Sequence, residues 1–254
     1  MFTLFAGPCV IESAQHADYM CQEIKKITDS LGIPFVFKSS FDKANRTSGD
    51  SYRGPGLELG VSILKDIKEK YNVDILTDIH EPWQAKPVAD VAEFIQIPAF
   101  LCRQTDLLVS AGNTKKNVVI KKGQFMSASN MRFALDKVYS TGNRNVFLCE
   151  RGTTFGYNQL IVDMTAIVDM KSFGVPVIFD ATHSIQRFDN TNVSKRQYVL
   201  PLTKSALGAG ADHLFMEVHN NPDCALSDAR NMIDLSMLKH ILVEAKKIYN
   251  AIYV

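Results

Sequence analysis

The sequence has no apolar run near the roughly 18 residues needed to cross a bilayer. Its opening, MFTLFAGPCVIES, lacks both the basic flank and the long apolar segment of a secretory leader. Neither a membrane partner nor export is expected, and the cytoplasm is the expected location. An excess of charge is also missing, with 28 Lys plus Arg against 27 Asp plus Glu and a net charge of +1. Such a balance provides no broad cationic face for nucleic acid or anionic lipid, so any positive charge that matters must be local. Cysteine is sparse and odd in number: the five residues Cys9, Cys21, Cys102, Cys149 and Cys224 form no disulfide framework and fit reduced thiols. No low-complexity stretch, Pro-rich linker or repeat interrupts the chain. Residues 1–254 therefore read as one domain.

What is present is rhythm. The 254 residues match the usual size of a single α/β barrel, roughly 250. Hydrophobic residues make up 46% and charged ones 22%, enough apolar material to fill a core and too much for disorder. Short β-branched and aromatic runs alternate with segments of helical period. Strands are predicted at Phe2–Ala6, Phe35–Ser39, Asp74–Asp78, Phe94–Ile97, Asn117–Lys121, Val146–Glu150, Val177–Ala181 and His213–Val218. Helices are predicted over Leu57–Tyr71, from Leu57, Val61, Leu64 and Ile67, and over Met237–Tyr249, from Ile241, Leu242, Ala245 and Ile248. This βα alternation predicts a single-domain α/β fold, the closed (β/α)8 TIM barrel.

The predicted strands end in reactive groups: Cys9, Lys38, Asp78 with His80, Gln96, Lys121, Glu150 with Arg151, Asp180 with His183, and Glu217 with His219. One such residue is most simply a solvated strand end. Eight strand ends together point to an active-site mouth, because barrel enzymes draw their reactive groups from the C-terminal ends of several strands. Within this set Lys38, Lys43, Arg46, Lys121, Lys122 and Arg151 form a basic group suited to phosphate or carboxylate. The connection 38–56 is long and rich in cations, hydroxyls and glycines, so ligand binding is favoured there over a plain solvated loop. Cys9, His183, Glu217 and Asp228, with His80 and His219 as alternates, mix soft and hard donors in a way that suits a divalent transition ion. Spacing alone favours the plainer reading, with Cys9 a small buried hydrophobe and His183 a hydrogen-bonded core residue. The other four cysteines read as structural. The polar segment 182–201 reads equally as a lid or as a surface excursion.

The motifs GPCVIES, KSSFDKANRTS, GPGLE, TDIHE, QIPAFLCRQTDLL, KKGQF, ERGTTFGYN, FDATHS and ALSDA resemble, in order and spacing, those of the 3-deoxy-D-manno-octulosonate 8-phosphate synthases. The resemblance runs from Gly7 to Asp228. It implies a transferase that condenses phosphoenolpyruvate with D-arabinose 5-phosphate for lipopolysaccharide precursor synthesis. It also implies that Cys9 places the chain in a metal-dependent subgroup, since the metal-independent subgroup carries Asn there. Cys9, His183, Glu217 and Asp228 are then the expected ligands of a divalent ion, with Zn, Fe, Mn and Co all compatible. The phosphoenolpyruvate site is expected from Lys38, Lys43, Gln96, Ala99, Lys121, Arg151 and His183. The arabinose 5-phosphate site is expected from Asn45, Arg46, Thr47 and Asp78. Lys43, Asp78 and His183 are the expected catalytic groups. The resemblance further implies a homo-oligomer, commonly a tetramer, in which Arg46 reaches a neighbouring subunit's site.

Three rival readings fit the same barrel. An erythrose 4-phosphate enzyme of the same barrel typically carries Pro at the position of Asn45, so Asn45 argues against it. A Schiff-base aldolase would use Lys38 or Lys121. A barrel that binds sugar phosphates without turnover is not excluded by fold alone.

Overall fold

The computed structural model describes residues 1–187 and 194–254. Its strands in chain order are β1 (Leu4–Gly7), β2 (Phe35–Lys38), β3 (Asp74–Asp78), β4 (Phe94–Ile97), β5 (Asn117–Lys121) and β6 (Val146–Glu150), then a short hairpin of β7 (Thr153–Thr154) and β8 (Leu160–Ile161), then β9 (Val177–Asp180) and β10 (His213–Glu217). All but the hairpin close into one parallel barrel in the order β1-β10-β9-β6-β5-β4-β3-β2. The helices around it are α1 (Ala14–Leu31), α2 (Leu57–Tyr71), α3 (Ala85–Ala89), α4 (Thr105–Asn113), α5 (Met131–Tyr139), α6 (Thr165–Lys171), α7 (Val199–Gly208) and α8 (Leu235–Tyr253). The predicted (β/α)8 barrel is the fold observed.

Strands β3 to β6 have the bounds expected from the sequence. β1 starts later and ends later than expected, because its register pairs Gly7 with Glu217 of β10. α8 begins at Leu235, since the Asp234 carboxylate caps it by accepting the Met237 N–H at 2.8 Å. The hairpin went unforeseen because two residues per strand are too few to show an alternation. In the segment 182–201, His183–Ile185 and Arg196–Tyr198 form 3-10 turns and α7 starts at Val199, while 188–193 lie outside the described residues. Cys21, Cys102 and Cys149 are buried as expected, but Cys224 is exposed and is no core residue. Among the described residues no helix is long and apolar enough to cross a membrane.

Side chains alternate across each strand, and this sorts the chain into two cores. Phe5, Val36, Leu76, Val119, Cys149, Ile178 and Phe215 pack inside the barrel, with Phe94 and Phe147 against them. Their strand neighbours, such as Leu4, Phe37, Ile75, Val118 and Phe179, pack outward beneath the helices. Two residues further along the inward face, Val36 gives way to Lys38, Leu76 to Asp78, Phe94 to Gln96, Val119 to Lys121, Ile178 to Asp180 and Phe215 to Glu217, and all six polar side chains are buried. The barrel is thus an apolar plug capped by a polar layer at the C-terminal ends of its strands. Gly7 closes this layer: a Cβ there would lie 2.0 Å from the Lys38 carbonyl oxygen, so any side chain would push β1 off β2 at the mouth.

Candidate active site

The long connection after β2 is folded back on the barrel. Its Lys43 N–H donates to the Arg53 carbonyl at 2.7 Å, the Tyr52 hydroxyl donates to the Ile11 carbonyl at 2.9 Å, and Arg53 Nε donates to Asp42 at 2.8 Å. Gly54 permits the return, with φ of 119° and no room for a Cβ, which would sit 2.4 Å from the Phe41 carbonyl oxygen. This brings Lys43, Asn45, Arg46 and Thr47 over the mouth, where with the strand ends they line a cavity of about 1060 Å³. Lys38, Asp78, Gln96, Ala99, Lys121, Arg151, His183, Glu217 and Asp228 line it as well. Of the expected site residues only Cys9 stays behind the wall, buried against the residues that form it.

Two charged clusters share the floor. In one, the Lys38 ammonium donates to the Cys9 carbonyl at 3.1 Å, to Ser40 Oγ at 3.1 Å and to Glu217 Oε1 at 3.2 Å, and Lys43 Nζ lies 3.8 Å from the same carboxylate oxygen. In the other, Asp180 accepts from Lys121, from the Thr182 hydroxyl at 3.1 Å and from the His183 N–H at 2.9 Å, and its Oδ2 lies 2.7 Å from His183 Nδ1. The Lys121 ammonium also sits 3.5 Å above the centre of the Phe215 ring. Arg151 donates to Gln186 Oε1 at 3.0 Å, and one of its terminal nitrogens is buried without a partner. A buried guanidinium nitrogen left unpaired is an open invitation to an anion.

The ionisable groups are biased by this crowding. Burial alone would raise the Glu217 carboxyl, but His183, Lys38 and Lys43 outweigh it and hold it below its ordinary range. Asp78 behaves likewise: burial opposes its charge, yet His80, whose Nε2 lies 3.1 Å away, with Lys43 and Lys38 keeps it ionised. Burial disfavours the charged form of Lys43, but the surrounding Glu217, Asp78 and Asp228 carboxylates outweigh it and raise it. Cys9 goes the other way, since burial and then the Asp228 and Glu217 carboxylates push its thiol up. Lys43 and Lys38 offset this only in part, so the sulfur keeps its proton.

Ligand atoms of Cys9, Glu217 and Asp228 lie within 4.8 Å of one another. His183 Nε2 is 3.6 Å from Glu217 Oε2 and 3.5 Å from Asp228 Oδ2, while Asp180 Oδ2 lies 2.7 Å from the other ring nitrogen. A carboxylate on that side would favour a ring whose far nitrogen is free for an ion. Glu217 Oε2 is buried with no hydrogen-bond partner. A thiol and two carboxylates in one cluster, with an imidazole beside both carboxylates, fit a divalent transition ion. A second cluster, Glu12, His16 and His219, does not fit as well. The Asn221 N–H donates to His219 Nδ1 at 2.9 Å, which leaves the ring proton on Nε2, 3.4 Å from Glu12, and no lone pair there for an ion.

Arg46 donates to Ser227 Oγ at 2.5 Å and to the Leu226 carbonyl at 3.3 Å of its own chain. Both contacts lie within its own chain, whose cavity Arg46 lines. Sequence reasoning missed Ser227 and Gln186, and gave Asp180 no role beyond a polar strand end. Ser227 stands beside Asp228 in ALSDA and Asp180 three residues before His183 in FDATHS, so adjacency to a ligand was the available signal.

Fold and mouth together define a barrel enzyme for small polyanionic substrates, and comparison with known proteins makes that specific. The model of the DAHP synthetase I family matches residues 1–252. A protein from Fusobacterium nucleatum named 2-dehydro-3-deoxyphosphooctonate aldolase is 51% identical over 257 residues, covering 99% of this chain and 92% of the relative. Proteins of the same name from Bartonella henselae, 51% identical over 95% of this chain and 88% of the relative, and from Cyanothece, 48% identical over 99% and 93%, agree. The chain belongs to the DAHP synthetase I family, among its 2-dehydro-3-deoxyphosphooctonate aldolases.

Proposed function

We propose that this enzyme condenses phosphoenolpyruvate with D-arabinose 5-phosphate and water, giving 3-deoxy-D-manno-octulosonate 8-phosphate and phosphate. The name that the relatives carry is another name for this synthase activity. The observation that carries the reading is the concentration of Lys38, Lys43, Lys121, Arg151 and Arg46 in one cavity of an otherwise neutral chain. Two phosphorylated substrates repel each other, and such a mouth can hold both.

In the reaction C3 of phosphoenolpyruvate bonds to the sugar aldehyde carbon, whose oxygen takes a proton, while water adds at C2. The hemiketal phosphate then collapses to a ketone as its C–O bond to phosphate breaks. Lys121 and Arg151, with Lys43, Gln96, Ala99 and His183 around them, hold phosphoenolpyruvate and meet the charge that grows on its phosphate and carboxylate. Lys38 is pinned by three acceptors and adds fixed positive charge at the floor. Asn45, Arg46 and Thr47 clamp the sugar phosphate at the rim, and Asp78, ionised and oriented by His80, accepts from sugar hydroxyls. Cys9, His183, Glu217 and Asp228 would hold a divalent ion, which would supply Lewis acidity for orienting the sugar or lowering the pKa of water. The protein works as a homo-oligomer, a tetramer by family resemblance, in the cytoplasm, making a lipopolysaccharide precursor. The exposed aromatic rings of Phe100, which lines the mouth, and of Phe125, Phe133 and Phe155 support contact with further copies. Sedimentation of the native protein tests this, and a monomer at micromolar concentration would refute it.

Phosphate release from phosphoenolpyruvate with arabinose 5-phosphate, against erythrose 4-phosphate, each before and after chelator treatment, tests substrate and metal together. Turnover with the five-carbon sugar alone, lost on chelation, is expected. Equal turnover of both sugars would remove the substrate assignment, and full activity in chelator would remove the metal.

A further inference from the structure

We propose that Ser227 is a positioning residue that couples the Cys9 sulfur to the Arg46 guanidinium, so that metal binding and sugar-phosphate binding are energetically linked. The inference rests on the function proposed above and assigns a role to a residue that neither substrate nor ion needs to touch. Ser227 is only 3% exposed. Its Oγ lies 3.2 Å from Cys9 Sγ and accepts from Arg46 Nη1 at 2.5 Å. It is thus the single atom between an expected metal ligand and the expected phosphate clamp.

A hydroxyl offers one proton and two lone pairs, whereas a guanidinium only donates and stays charged. With Cys9 as a thiol, the S–H has two acceptors in reach, Ser227 Oγ at 3.2 Å and Asp228 Oδ2 at 3.4 Å. Ligation removes that proton. The Ser227 hydroxyl is then placed to donate to the sulfur while still accepting from Arg46, whose charge makes it a stronger donor. A strong donor on a ligating thiolate draws electron density away from the ion. Arg46 therefore weakens metal binding through Ser227, and a phosphate that takes Arg46 away relieves it.

The surroundings keep Ser227 from escaping this position. The Leu226 N–H donates to Glu12 Oε1 at 2.9 Å, and the Leu226 carbonyl accepts from Arg46 at 3.3 Å. On the other side Asp228 has a left-handed backbone, φ 46°, and its Oδ2 lies 3.4 Å from Cys9 Sγ. Moving Ser227 would displace Asp228 and the cluster it completes. Linkage is reciprocal, so a bound ion should also tighten the hold on sugar phosphate.

The test is Co²⁺ affinity, measured by competition with a chelator of known affinity, with the thiolate-to-cobalt absorption band reporting sulfur ligation. Native protein, Arg46→Ala, Ser227→Ala and the double variant are compared, and circular dichroism checks that each is folded. Arg46→Ala is expected to raise Co²⁺ affinity by about fivefold, at the low end of usual coupling strengths, and to change it less than about twofold when Ser227 is already Ala. Ser227→Thr keeps the hydroxyl and should restore the response to Arg46→Ala. Arabinose 5-phosphate should raise the affinity of native protein more than that of Ser227→Ala. An equal response to Arg46→Ala on both backgrounds would mean charge acting through space, and no response on either would mean no coupling; both overturn the proposal with the cobalt band intact. Absence of the band in native protein would instead overturn the metal assignment, and this inference with it.

Discussion

The lower and upper halves of the barrel interior are made by the same strands on the same inward face, two residues apart, and they behave as different materials. Below, Phe5, Val36, Leu76, Val119, Ile178 and Phe215 fill the space with apolar volume. Above, Lys38, Asp78, Gln96, Lys121, Asp180 and Glu217 are just as buried but are held by charge and hydrogen bonds. Burying apolar surface stabilises regardless of neighbours, whereas a buried charge is tolerable only when its partners are in place. The lower layer can therefore secure the fold while the upper layer is arranged for substrates.

The sharpest way to break this contrast is at its seam. Phe215→Ala should destabilise the protein by about 3 to 5 kcal/mol in urea unfolding, because it opens a cavity beneath Lys38 and Lys121. Lys121→Met keeps the stem volume but strips the buried Asp180 of its ammonium, leaving only its His183 and Thr182 contacts, so it should cost stability as well. Turnover should fall by roughly tenfold to a hundredfold, the worth of one charge-assisted contact of about 1.5 to 3 kcal/mol. Adding Asp180→Asn removes the stranded charge and should recover stability without turnover; no recovery would erase the distinction between the layers.

Arg46→Ala acts at the rim and should cost about 1.5 to 3 kcal/mol of arabinose 5-phosphate binding while sparing phosphoenolpyruvate. Calorimetry with each substrate decides, and equal losses would refute separate phosphate sites. At Cys9 the expectation concerns kind more than size. Cys9→Ser should lose metal and most activity, since a hydroxyl is a far poorer ligand than a thiolate. Cys9→Asn should keep measurable activity that chelator does not touch. Variants that both remain chelator-sensitive would make Cys9 a packing residue.

The smallest effect lies outside the barrel. Burial works against ionisation of Asp234, but the Met237 N–H and the Ser236 hydroxyl outweigh it and hold the carboxyl below its ordinary range. A depressed carboxyl contributes stability above its unfolded pKa of about 4 and loses it as pH falls through the folded value. Asp234→Ala should cost about 1 kcal/mol at neutral pH and much less at pH 3. A cost that persists undiminished at pH 3 would show that the cap does not work through its charge.

Much of this molecule was legible in order along the chain. Alternation placed β3 to β6 to the residue, and the polar residue two positions past each apolar one marked the mouth. The sequence by itself determined the strand and helix periods, and hence the barrel. It also determined which residue types stand at the strand ends, because period and composition are local properties. Local patterns do not encode which distant groups meet. That Ser227 would stand between Cys9 and Arg46, that Asp180 would back His183 while accepting from Lys121, and that Arg46 would turn over its own cavity were decided only by tertiary structure. Those meetings depend on closure of the barrel, which brings β1 beside β10 and folds the loop after β2 across the mouth, and no window of sequence contains both sides of that contact.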